Sequence, residues 1–119
     1  DLKIALTNSA PNVSTHTVLA DITQISTSGG YTGGAGGGVA LAGESYTESA
    51  GTGTFIATDL VITASGGSIG PFRYAVLYND SAASDELIGY WDYGSSITLA
   101  TGETFTVDFD GTTGILTLA

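Results

Sequence analysis

Three features of the sequence predict an all-β fold, an antiparallel β-sandwich or barrel (jelly-roll-like) with long Gly-rich loops. Apolar residues recur every second position in short runs, as in Leu2, Ile4 and Leu6 or Phe105, Val107 and Phe109. Helix signals are almost absent, since 18 Gly and 2 Pro punctuate the chain and its 18 Thr are weak in helices. Turn-type residues separate the apolar runs at short, regular intervals, the spacing of sandwiches and barrels.

The elements follow in chain order. Leu2 to Thr7 reads as a first strand, and Val18 to Ile25 as a second. Residues 28–38, SGGYTGGAGGG, can neither form a helix nor fill a core, so they form a loop or arm. Val39 to Leu41 and Glu44 to Glu48 suggest a short hairpin. Thr52 to Ala57 and Leu60 to Ala64 are two strands joined at Thr58-Asp59, and Ser65 to Pro71 is a loop. Arg73 to Tyr78 and Leu87 to Tyr93 are the strongest strands, separated by the polar loop Asn79 to Glu86. Phe105 to Phe109 and Ile115 to Leu118, with the Asp110–Gly114 turn between them, read as a C-terminal hairpin. Eight of the 11 aromatic residues lie between Phe72 and Phe109, which puts the dense part of the core in the C-terminal half. Residues 1–119 are one domain, since the piece before the Gly-rich loop is too short to bury a core alone.

Charge narrows the function. Twelve acidic and two basic residues give a net charge of −10, and charged residues are only 12% of the chain. The chain is acidic because Lys and Arg are nearly absent. A mean hydropathy of +0.26 with 42% hydrophobic residues is unlike a disordered acidic tail. Binding to nucleic-acid phosphates or to an anionic membrane takes several cations, and only Lys3 and Arg73 exist. No apolar run approaches the length of a membrane-spanning helix. With no Cys there is no disulfide, zinc-thiolate or thiol nucleophile. No signal peptide is visible, and the first residue is Asp1 rather than Met.

The chemical motifs fail by spacing. The Gly-rich loop has Val39 where a phosphate-binding loop needs Lys and where a dinucleotide motif starting at Gly34 needs its last Gly. His16, the single histidine, lies near Ser14, Thr17 and Asp21, but without a nucleophile-elbow pattern. Asp108-Phe109-Asp110-Gly111 begins like a calcium loop, yet Thr113 and Ala119 stand where Gly and Glu belong. Asp92, between Trp91 and Tyr93 and after Tyr90, could pair with Glu86 or Asp108 across a glycosidase cleft. Strand alternation opposes this, placing Trp91 and Tyr93 on one face and Tyr90 and Asp92 on the other. Arg73, between Phe72 and Tyr74, calls for a carboxylate partner, with Asp92 and Asp108 the candidates. Asn12-Val13-Ser14 and Asn79-Asp80-Ser81 match the glycosylation triplet without any sign of a secretory route. No residue is assigned a catalytic, cofactor-binding or metal-binding role.

The run KIALTNSAPNVSTHTVLADITQIS (Lys3 to Ser26), the loop GGYTGGA, the segment from Gly66 to Phe109 and the ending GILTLA resemble small structural proteins of tailed bacteriophages. The likeness is to head decoration, or capsid cement, proteins. In that family a further segment precedes the first-strand lysine. The resemblance implies a non-enzymatic virion protein, made in the host cytoplasm and bound to the outer surface of the phage head. Its implied partner is the major capsid protein, often with the decorating protein as a homotrimer, and no cofactor is implied. Interface candidates are Gly29, Gly30, Tyr31, Gly33, Gly34 and Gly36 in the loop, and Phe72, Arg73, Tyr90 and Trp91 in the second half. The alternative expectation is a carbohydrate-binding module of a fibre or tail tip, holding sugar on Tyr90, Trp91 or Tyr93.

Overall fold

The structure, a computed structural model, describes residues 1–110 and 115–118. Its described elements are nine strands and one 3₁₀ turn. The strands are β1 (Leu2–Thr7), β2 (Val39–Ala40), β3 (Ser45–Ser49), β4 (Thr52–Ile56), β5 (Leu60–Thr63), β6 (Ile69–Asn79), β7 (Leu87–Leu99), β8 (Thr104–Val107) and β9 (Leu116–Leu118). The protein is all-β, with long Gly-rich loops, and its described ladders are antiparallel.

The chain divides into two units. One comprises Asp1–Ala40 and Thr63–Thr104. It holds a four-stranded sheet of order β2-β1-β6-β7. This sheet has two edges, β2 and β7, and so is not a closed barrel. The other unit comprises Leu41–Ile62 and Phe105–Ala119. It holds the sheet β3-β4-β9, and most of the two-stranded pairing of β5 with β8.

In the first unit β1 is an inner strand. It pairs along its whole length with β6, from Leu2↔Asn79 to Thr7↔Tyr74. Ile4, Ala5, Leu6 and Thr7 are fully buried, so β1 is covered on both faces. Among the described residues most buried hydrophobics, from Leu60 to Phe109, lie in the C-terminal half as expected, and β1 adds a buried contribution from the N-terminal half. An early strand placed between two neighbours is more enclosed than its aromatic content suggests.

The Gly-rich loop is folded against this sheet. Tyr31 is 1% exposed, and its hydroxyl accepts the Leu6 N–H at 2.9 Å and donates to Gln24 Oε1 at 2.9 Å. Lys3 Nζ donates to the Gly36 carbonyl at 2.8 Å, and the Tyr78 hydroxyl donates to that of Gly37. Gly38 has φ +94°, and a Cβ there would collide with the Ile4 carbonyl. Glycine is what lets the loop lie this close to β1. The segment thus contributes a core residue, contrary to the expectation from its composition, and is held by these four bonds rather than projecting as an arm.

Other expectations shift. Val18 to Ile25 is not a strand: the Asp21 carboxylate accepts the N–H groups of Thr17 and Val18 and folds the segment into a turn over Leu19–Asp21. Such side-chain-to-backbone bonds compete with a ladder. β2 and β3 do not pair with each other, since β2 joins β1 and β3 joins β4. β9 pairs with β4, not with β8, and the turn residues 111–114 expected between them lie outside the described residues. β6 and β7 run longer than expected, through register shifts between Ile69 and Phe72, Phe72 and Tyr74, and Leu77 and Tyr78.

Tyr31→Phe leaves the buried Leu6 N–H unsatisfied and lowers unfolding free energy by about 1–3 kcal/mol. Tyr46→Phe, at a 61% exposed site, changes it by less than about 0.5 kcal/mol. Urea unfolding of both variants checks the contrast.

Candidate adhesion site on the β7 edge

The register of β6 with β7 sets the geometry. Tyr74 stands opposite Asp92, Ala75 opposite Trp91 and Val76 opposite Tyr90. Cross-strand partners share a face, so Tyr90 and Asp92 lie on one face and Trp91 on the other. On the first face Tyr90 meets Tyr74 edge to face, with ring centroids 6.0 Å apart at 68°.

Arg73 forms a two-pronged pair with Asp92, Nε to Oδ1 at 2.8 Å and Nη2 to Oδ2 at 3.0 Å. The guanidinium also stands 5.3 Å from the centre of the Tyr74 ring, a cation–π contact. Of the two partners expected from the sequence, the structure selects Asp92. The reason differs: both side chains are 40% exposed, so the pair is solvated and no buried charge is being compensated. The hydrogen bonds from Arg73, and then the Gly94 N–H at 2.8 Å, hold the Asp92 carboxyl below its ordinary value. The same pair holds Arg73 above its own. Asp92 is thus an ionised, committed acceptor, poorly suited to donate a proton.

The remaining candidates separate into core and surface. Phe72 is fully buried and belongs to the core, as does Tyr31. Within the loop Gly29 is buried and Gly33 and Gly36 are half-buried. Ser28, Gly30, Thr32, Gly34 and Ala35 are what the loop offers a neighbour. Tyr90 and Trp91 are 41% and 39% exposed. They continue an exposed run over residues 88–96 that also carries Ile88 and Tyr93, which the interface candidates omitted. Ile88 could have been found in LIGYWDY, where apolar residues fill both alternating sets and cannot all face inward.

His16 and Asp21 do not form a catalytic link. His16 Nδ1 accepts the Asn12 N–H at 3.0 Å, and the Asp21 carboxylate is turned to Thr17 and Val18. Among the described residues, no group of three His, Cys, Asp or Glu is placed to hold a metal ion. Positions 111–113 and 119 of the calcium-loop comparison lie outside them. Lys3 is also engaged, 3.2 Å from Asp80. Both side-chain cations are therefore tied to carboxylates within the chain. No helix among the described residues is long and apolar enough to cross a membrane. No family model, curated protein or solved structure matches the chain.

The linkage sign for Asp92 follows from its lowered pKa. The pair stabilises the fold above the ordinary carboxylate value of 3.8, and that contribution is lost as the pH falls through the lowered one. Asp92→Asn is therefore expected to lower the thermal midpoint modestly at pH 7. The gap to the parent protein should close as the pH falls below 3.8, and narrow in high salt. A midpoint series from pH 7 to pH 2 reads this directly.

Proposed function

We propose that this chain is a virion structural protein that decorates the outside of a tailed-phage head and cements it by binding the major capsid protein lattice, as a homotrimer. The observation that carries the reading is the exposed apolar run on β7, where Ile88, Tyr90, Trp91 and Tyr93 are 39–58% exposed. Scattered exposed apolar residues need no explanation, but four within six positions, spread over both faces of one edge strand, suit an edge that a neighbour grips from both sides. The resemblance of Lys3 to Ser26 and Gly66 to Phe109 to phage decoration proteins supplies the partner.

The mechanism is contact energy multiplied by copy number. At about 25 cal/mol per Å², burying about 400 Å² of apolar surface gives roughly 10 kcal/mol gross, before association costs. Three sites on one trimer act together, so release requires all of them to open. Bridging adjacent shell subunits in this way opposes their separation under internal pressure.

The alternative, a carbohydrate-binding module, is favoured by the exposure of Tyr90, Trp91 and Tyr93. The opposite facing of Tyr90 and Trp91 weighs against a shared sugar platform. A glycan titration followed by the fluorescence of the single Trp distinguishes it, because a saturable shift requires contact near Trp91.

Heads assembled with the protein should survive heating that disrupts heads without it, and Ile88→Ser should weaken particle binding about tenfold with little change in the protein's own unfolding midpoint. Equal heat resistance with and without the protein would remove the cementing role.

A further inference from the structure

β7 is an edge strand of the four-stranded sheet, and residues 88–96 are exposed throughout. In an antiparallel ladder alternate residues of an edge strand direct N–H and C=O away from their one neighbour. Such an edge is a template for an added strand.

A cleft of about 170 Å³ adjoins the start of this run. Pro11, Val13 and His16 form one wall, and Val76, Leu87 and Tyr90 the other. It is smaller than the roughly 300–1,000 Å³ of ordinary small-molecule sites, so it suits one apolar side chain. Val13 at its rim is 83% exposed. The His16 wall is fixed by the bond from Asn12 N–H to His16 Nδ1, and Asn12 is held in turn by the Ser14 N–H.

Carboxylates gather where the chain enters β7. Val18 bridges to Glu86, the Leu19 N–H donates to the Asp85 carbonyl, and the Leu87 N–H donates to the Thr17 carbonyl. Asp21 is tied to Thr17 and Val18. These contacts gather Asp21, Asp85 and Glu86 at one end of the exposed edge. Lys3 and Arg73 are paired with Asp80 and Asp92. A second copy of this chain, at −10, is a poor occupant on charge grounds.

We propose that the β7 edge takes an extended, Lys- or Arg-bearing segment of the partner protein as an added strand, with one apolar side chain seated in the cleft beside Val76 and Tyr90. Main-chain bonds along the edge supply affinity, the cleft fixes register, and Asp21, Asp85 and Glu86 select for positive charge. The proposal rests on the adhesion reading, because it specifies the chemistry that the same strand binds.

The test uses the intact protein and three synthetic nine-residue peptides, followed through the single Trp. The first alternates Lys with Thr around a central Leu, the second replaces every Lys by Glu, and the third replaces the Thr residues flanking the Leu by Pro. The Lys peptide should give a saturable shift that weakens in high salt. The Glu and Pro peptides should bind at least about tenfold more weakly. Val13→Arg, a substitution at an exposed rim, should weaken the Lys peptide about tenfold and spare the fold. Absence of binding by the Lys peptide, equal binding of Lys and Glu peptides, or full binding of the Pro peptide would overturn the proposal. Heads stabilised by a protein that fails these peptide tests would sink this inference alone; peptide binding without head stabilisation would sink the cementing role alone.

Discussion

The placement of β1 between β2 and β6 is the constraint on which the first unit depends. Six consecutive residues of β1 pair with β6, and four of them are fully enclosed. A strand buried on both faces needs cover on both, and the Gly-rich segment helps supply it. Tyr31 reaches the Leu6 N–H, Tyr78 from β6 reaches the Gly37 carbonyl, and Lys3 from β1 reaches that of Gly36. Burial raises the pKa of the Tyr31 hydroxyl, which keeps it protonated to donate to Gln24 while accepting from Leu6. Loop, strand and partner strand are therefore stabilised together.

Electrostatics carries the same economy outward. Two cations serve twelve acids, and each is spent on a specific carboxylate. Lys3 joins β1, the Gly-rich loop and Asp80, whereas Arg73 joins β6 to β7 across a register shift. The rest of the surface presents a predominantly negative field. Such a field favours approach to a surface of opposite sign.

The strand content was legible because alternation is local. Leu2 to Thr7, Arg73 to Tyr78 and Leu87 to Tyr93 are all found within strands. Pairing was not legible, because neighbours are chosen by long-range contacts. The ends at Leu116–Leu118 joined β4, and Val39–Ala40 joined β1, although nearer partners existed in sequence. The Val18 to Ile25 turn was hidden by apolar residues, its cause being one carboxylate, Asp21. At the surface, the need of Arg73 for a carboxylate, Asp92 or Asp108, and the opposed facing of Tyr90 and Trp91 could be read from composition and the two-residue period, while the choice of Asp92 came from the fold. The cleft beside Tyr90 could not, since it requires residues 11–16 to fold over the β6–β7 sheet.

The register shifts of β7 have a consequence for solubility. The shifts between Phe72 and Tyr74 and between Leu77 and Tyr78 interrupt the regular ladder, and Gly94, with φ +97°, lies within the first of them, between Asp92 and Ile97. Irregularities of this kind break up a flat template. A long, flat, exposed edge over residues 88–96 would otherwise invite fibril growth by endless stacking. Broken into short straight stretches, the same edge can accommodate one finite guest and then stop.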